Sequence, residues 1–181
     1  DLDRIVEVRR EKVFPELEDC TFRVACDVTN PLCGPVGASA VFGPQKGATP
    51  EMVRRLDLGL AHFAEVTRQL YPGADAAVPG TGAAGGLGFA FLAYTNGVLE
   101  PGIQIVLEEI GLENDIARAD VVITGEGRLD GQSVMGKAPV GVARLAKKYG
   151  KKVLAFSGSV TEEARACNEA GIDAYFPILR E

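Results

Sequence analysis

The chain has 181 residues, enough for one large domain or two smaller ones with cores of their own. A net charge of -6 and a single histidine argue against a nucleic-acid surface, which needs a clustered basic face, and against a histidine-rich zinc site. No apolar run approaches a membrane span, and the charged start "DLDRIVEVRREKVFPELEDC" is not a signal segment, so a cytoplasmic protein is expected. Any anionic ligand must then be held by local groups: backbone N–H groups, helix N-termini, a few chosen Lys or Arg, or a bound cation.

In chain order, residues 1–20 read as an exposed helix, and Thr21 to Val28 as a strand rich in β-branched and aromatic residues. A long stretch dense in Pro and Gly follows, which cannot be one regular element. Thr49, Pro50 and Glu51 mark a helix start, after which Val53, Leu56, Leu60, Phe63 and Val66 form one stripe. His62 falls beside Phe63 and Val66 there, which suits a core or helix-surface role. "PGADAAVPGTGAAGGLGFAFLAYTNGVL" reads as a glycine-rich loop feeding a buried helix, and "PGIQIVLEEIGLENDIARA" as a helix with a short turn.

From Ala119 the character changes. "DVVITG", "KKVLAFSG" and "IDAYFPI" are strands, alternating with helices closed by Gly150 and Gly171. That order defines a parallel βαβαβ unit of a doubly wound sheet, with a different α/β or α+β unit before it and a boundary near residues 111 to 119. Cys20, Cys26, Cys33 and Cys167 form neither a CxxC pair nor a disulfide framework, so reduced, mostly buried thiols are expected.

Three stretches carry candidate chemistry. Gly80, Gly82 and Gly85 fit GxGxxG superficially but lack the preceding buried strand and the following acid, so a nicotinamide-dependent oxidoreductase has little support. What survives is a backbone anion cradle from Gly82 through Gly85, Gly86 and Gly88, beside the plainer reading that small residues let a helix pack closely. Asp27 and Asn30 follow a strand, where open α/β sheets place ligand groups, and Lys46 in "GPQKG" suits a phosphate or a carboxylate. Third, "TGEGRLDGQSVMGK" is read as the connection from a strand to a helix: Glu126 and Asp130 flank Arg128, and Lys137 precedes the helix start at Pro139. Carboxylates for Mg²⁺ and cations for phosphate suit phosphoryl transfer, although Thr124, Gln132 and Ser133 could equally be plain turn formers.

Taken together, "DVTNPLCGPVGASAVFGPQKGATPE", "PGTGAAGGLG" and "VVITGEGRLDGQSVMGKAPVGVARLAKKYGKKV" resemble, in register from about Cys26 to Ser159, the bacterial type I glycerate kinase family. The resemblance implies ATP- and Mg²⁺-dependent phosphorylation of D-glycerate, typically to 2-phosphoglycerate, carrying glyoxylate, glucarate or serine-derived carbon into glycolysis. It implies a two-domain α/β architecture: residues 1–115 as part of an inserted restriction-endonuclease-like domain, and 116–181 as part of a flavodoxin-like parallel-sheet domain. Family members also open with a "DSFKG"-like segment not found here and continue past the equivalent of Glu181. A fragment with little or no activity of its own is therefore expected.

On this reading Glu126 and Asp130 are the Mg²⁺-holding or nucleophile-orienting carboxylates, with Asp27 as the alternative base. Lys46, Arg128, Lys137 and Asn30 bind phosphate and the substrate carboxylate, with Gly82 to Gly88 as the cradle. The partners are D-glycerate and ATP, with no nucleic acid and no membrane, and homo-oligomerisation is left open. The rival is a non-catalytic fragment that binds an anion or a partner chain.

Overall fold

The charged amino-terminal stretch is not the helix its composition suggests. The computed structural model describes residues 1–131 and 133–179, and residues 1–20 carry only two 3₁₀ turns, Leu2–Arg4 and Pro15–Glu18. The segment has no apolar stripe to bury and is interrupted by Pro15, so little fixes it as a helix.

Strand β1 (Phe22–Ala25) follows as expected and pairs in parallel with β2 (Gly97–Glu100), Phe22 opposite Gly97. Arg23 clamps this pair through a two-pronged ion pair, its Nε and Nη2 donating to the Glu100 carboxylate at 3.0 and 2.7 Å. β2 is absent from the sequence reading, which ran this segment on from the buried helix. The irregular stretch after Val28 contains one short helix, α1 (Ala38–Phe42), and a 3₁₀ turn at Pro44–Lys46.

Helix α2 (Pro50–Leu70) begins where expected, the Thr49 hydroxyl accepting from the Met52 N–H at 3.2 Å with Pro50 in the first turn. Its burial starts only at Gly59 and continues through Leu60, Ala64, Val66 and Thr67. Leu56, expected on the apolar stripe, is 54% exposed because the first half of the helix runs clear of the core. That core joins Leu32, Ala38, Leu60, Ala64, Ala74 and Phe89, the last from α3 (Leu87–Tyr94). Phe63 meets Phe89 edge-on at 5.6 Å, and the Thr67 hydroxyl donates back to the Phe63 carbonyl while lying 2.6 Å from the Tyr94 hydroxyl. His62 reaches the Ile5 carbonyl at 2.8 Å, the helix-surface role expected of it.

Contacts divide the chain into two units, Asp1–Glu100 and Pro101–Glu181. The second opens with two helices rather than one, α4 (Gly102–Glu109) and α5 (Leu112–Arg118), because Gly111 takes a left-handed φ of 65°. Then come β3 (Val121–Leu129), α6 (Ala138–Lys148), β4 (Lys152–Val160), a 3₁₀ turn at Glu162–Arg165 running into α7 (Ala166–Glu169), and β5 (Ala174–Pro177). The strands lie in the parallel order β3-β4-β5, the expected βαβαβ arrangement.

Helix α6 buries Pro139, Val140, Ala143 and Ala146 against Val122, Val153 and Ala155 of the sheet. On the same sheet Val121, Ile123, Phe156 and Phe176 are exposed, Phe156 and Phe176 stacking at 5.6 Å. Among the described residues no helix is long and apolar enough to cross a membrane.

Asp173, just before β5, pins the end of this unit. Its carboxylate accepts from Lys147 Nζ at 2.5 Å, the Val153 N–H at 2.8 Å and Lys152 Nζ at 3.2 Å. The Lys147 bond first, then the Val153 N–H, hold the carboxyl far below the usual carboxylate range. A carboxyl depressed in the folded state stabilises above its unfolded pKa and loses that contribution as the pH falls toward the folded one. Asp173→Asn is therefore expected to lower the thermal midpoint at pH 7. The gap from the unsubstituted chain should narrow progressively below about pH 4, as thermal scans across that range would show.

Candidate functional site

In the second unit the charged motif is built from a strand end, a tight turn and a helix start. β3 continues through Gly125 to Leu129, so Glu126 and Arg128 stand on a strand rather than in the connection that the sequence suggested. The glycines explain the extension. A Cβ at Gly125 would lie 2.2 Å from the Phe156 carbonyl oxygen of β4, and one at Gly158 would lie 2.6 Å from the Gly127 carbonyl oxygen. The strand end is fixed by Leu129, fully buried, whose carbonyl accepts from the Thr161 N–H at 3.0 Å.

Beyond Leu129 the chain turns sharply. Asp130 Oδ1 accepts from the Ser133 N–H at 3.2 Å, and the Asp130 N–H donates to Ser133 Oγ at 3.2 Å, a reciprocal aspartate–serine turn. Ser133 is fully buried, and its hydroxyl donates to Glu126 Oε1 at 2.5 Å while standing 3.4 Å from Asp130 Oδ1. Lys137, at the amino-terminal cap position of α6, reaches Asp130 Oδ1 at 3.5 Å. Arg128 Nε lies 4.0 Å from Asp130 Oδ2, with its side chain largely in solvent.

Four predicted residues, Glu126, Arg128, Asp130 and Lys137, thus converge on one turn. Two residues join them that sequence reasoning did not place in the site. Ser133 stood there only as a turn former, although its spacing from Asp130 is the signal of such a turn. Glu163 was not singled out at all, and a Cβ added to Gly131 would come within 3.3 Å of its Cβ. Gln132 lies outside the described residues. Beneath the turn, Cys167 is buried; burial, then the charges of Glu126 and Asp130, push its thiol up, with Lys137 opposing. All four cysteines are free, but only Cys167 is buried, with Cys26 and Cys33 half-buried and Cys20 exposed, against the expectation of mostly buried thiols.

Carboxylates from a strand and a turn that share one hydroxyl, with a lysine alongside, offer hard oxygen donors of the kind Mg²⁺ takes together with phosphate oxygens. Among the described residues no three His, Cys, Asp or Glu side chains gather into a metal-holding group. An ion here would complete its shell with substrate oxygens and water.

The remaining predicted residues belong to the first unit. Asp27 is exposed two residues past β1, and Lys46 is exposed at the end of its 3₁₀ turn. Asn30 braces the fold: its Nδ2 donates to the Val36 carbonyl at 2.8 Å and its own carbonyl accepts from the Gly82 N–H at 2.9 Å. The glycine-rich segment packs directly on this stretch. A Cβ at Gly82 would lie 2.3 Å from the Pro31 carbonyl oxygen, and one at Gly88 would lie 2.2 Å from that of Gly80. The N–H groups of Gly82 and Gly86 already bond to the carbonyls of Asn30 and Ala83. Close packing thus accounts for Gly82 and Gly88, and left-handed backbone at 70° and 105° accounts for Gly85 and Gly86. Between them Ala84 carries a φ of 49°, the one left-handed non-glycine among the described residues, and such strain tends to mark functional loops.

The fold is that of an α/β protein built on parallel sheets, with a carboxylate–hydroxyl–lysine turn at the end of a sheet strand. The whole chain, residues 1–181, matches the model of the Glycerate kinase family, and it belongs to that family. It is 49% identical over its full length to a glycerate kinase of Haemophilus influenzae, of which it spans 48%. It is 50% identical over 91% of its length to the glycerate 2-kinase of Escherichia coli K12, spanning 43% of that protein. The crystal structure of the protein designated glycerate kinase 2 of Salmonella typhimurium LT2 superimposes with a TM-score of 0.84 at 45% identity, over 97% of this chain and 45% of that one. The chain thus spans about half the length of the curated relatives it matches.

Proposed function

We propose that the protein carrying this chain transfers a phosphoryl group from ATP to D-glycerate, giving 2-phosphoglycerate, in the cytoplasm. The observation that carries the reading is the match to the Glycerate kinase family along all 181 residues. The geometry supports it through the turn that gathers Glu126, Asp130, Ser133 and Lys137. On the same reading residues 1–115 are part of the inserted domain and 116–181 part of the flavodoxin-like domain.

Phosphoryl transfer demands positioning and charge neutralisation more than covalent chemistry. Glu126 and Asp130 would hold Mg²⁺, which supplies charge neutralisation at the phosphate oxygens. Lys137 and Arg128, both beside Asp130, bind phosphate or the substrate carboxylate, with Lys46 and Asn30 serving anions in the first unit beside the Gly82–Gly88 segment, whose Gly82 and Gly86 N–H groups are themselves bonded to carbonyls. Asp27 is the alternative base for the glycerate hydroxyl.

The test is phosphorus NMR of the products formed by the full-length protein from ATP, Mg²⁺ and D-glycerate. The 2-phosphate is expected; no transfer to glycerate would overturn the reading, and the 3-phosphate would overturn its regiochemistry. The 181-residue stretch by itself is expected to turn over little or no glycerate, which the same spectra measure.

A further inference from the structure

The turn after β3 contains a buried hydroxyl whose bonds exceed what the turn requires. Ser133 Oγ accepts from the Asp130 N–H at 3.2 Å and the Ser133 N–H donates to Asp130 Oδ1 at 3.2 Å, which together close the turn. The third bond, from the hydroxyl to Glu126 Oε1 at 2.5 Å, does nothing for the turn. It reaches back seven positions to a side chain on the strand. A hydroxyl has one proton to give, and at 2.5 Å against 3.4 Å to Asp130 Oδ1 that proton belongs to Glu126.

We propose that Ser133 is a positioning residue. Its buried hydroxyl locks the Glu126 carboxylate in one orientation and holds it in register with Asp130, so that two carboxylates from different elements present oxygens to one point. The proposal rests on the reading of Glu126 and Asp130 as the Mg²⁺-holding pair. With Oε1 tied to Ser133, rotation about the last Glu126 bond is stopped, which fixes where Oε2 points. Ser133 can act as a fixed post because it is itself fully buried, whereas both carboxylates are partly accessible. A group that orients a ligand in this way typically changes metal affinity or activity by about 10- to 100-fold when removed.

The experiment uses the full-length protein with Ser133→Ala, Ser133→Cys, Ser133→Thr, Glu126→Gln and the double variant Ser133→Ala/Glu126→Gln. Steady-state kinetics is measured on each, with Mn²⁺ titration as a probe of the cation site that needs no turnover. Ser133→Ala is expected to lower kcat and weaken Mn²⁺ binding, each about 10- to 100-fold, with KM for glycerate little changed. Ser133→Thr, which keeps the hydroxyl, should recover most of both. The double variant should be no worse than Glu126→Gln, since a residue acting through Glu126 has nothing left to position.

Should Ser133→Ala fail to fold, Ser133→Cys keeps the volume with a weak donor and is expected to show the same losses. Losses that multiply in the double variant, or unchanged Mn²⁺ affinity in folded Ser133→Ala or Ser133→Cys, would overturn the proposal and leave Ser133 as a turn former. Failure of the unsubstituted protein to phosphorylate glycerate would instead count against the functional reading, and the Mn²⁺ titrations would still decide the role of Ser133.

Discussion

Asparagine in place of Asp130 is expected to lower glycerate phosphorylation by about 10²- to 10⁴-fold, the span of an essential acid–base or charge-positioning group, while leaving the protein folded. The substitution separates charge from structure at this position. Asparagine retains an oxygen that can accept from the Ser133 N–H, now at 3.2 Å, and so can still close the turn. What disappears is the negative charge facing Lys137 at 3.5 Å and Arg128 at 4.0 Å. Those ion pairs are partly solvated, so their loss contributes little to stability, roughly 0–1 kcal/mol each. Turnover at saturating ATP, Mg²⁺ and glycerate, read beside the thermal midpoint, checks both halves. Unchanged turnover would remove Asp130 from the site, and a large fall in midpoint would make its role structural.

Alanine at Gly125 is expected to destabilise the second unit by about 3 kcal/mol, toward the upper end of what forcing extra atoms into packed structure costs, although the glycine itself is exposed. The added Cβ would stand 2.2 Å from the carbonyl oxygen of Phe156. That obstacle is backbone in a paired strand, not the mobile tip of a side chain, so relief requires β3 and β4 to separate. Gly127, two residues on, is the internal control. A Cβ there meets nothing within 4 Å, and Gly127→Ala should fall within about 0.5 kcal/mol of the parent. Denaturant or thermal unfolding of the two variants, side by side, tests whether the glycines of this motif serve the strand pairing. Equal stability would refute the steric account.

The parallel unit was legible because its signals are local. Apolar runs at Val121, Val153 and Ala174 alternate with helical patterns closed by Gly150 and Gly171, and both glycines take left-handed backbone at the expected places. β2 was not legible, since its four residues have no pattern of their own and exist as a strand through pairing with β1, far back along the chain. The extension of β3 was hidden for a related reason. Glycine ordinarily argues for a turn, yet Gly125 lies in a strand because the neighbouring carbonyl leaves no room for a Cβ.

The candidate site divides along the same line. Glu126, Asp130 and Lys137 could be grouped from sequence because few residues separate them. The Ser133–Glu126 bond depends on how the turn folds back over the strand, which no spacing rule encodes. In the first unit, the bond from the Gly82 N–H to the Asn30 carbonyl joins two segments far apart in the chain, and no spacing rule encodes it either.

The uncovered side of the β3-β4-β5 sheet has a practical meaning for work with this stretch of polypeptide. Parallel sheets are normally shielded on both faces, whereas here Val121, Ile123 and the stacked Phe156 and Phe176 present oily side chains to water. Apolar surface gathered in this way promotes self-association and precipitation. These 181 residues handled alone are therefore expected to self-associate through that face despite their net charge of -6, which light scattering across a concentration series would show.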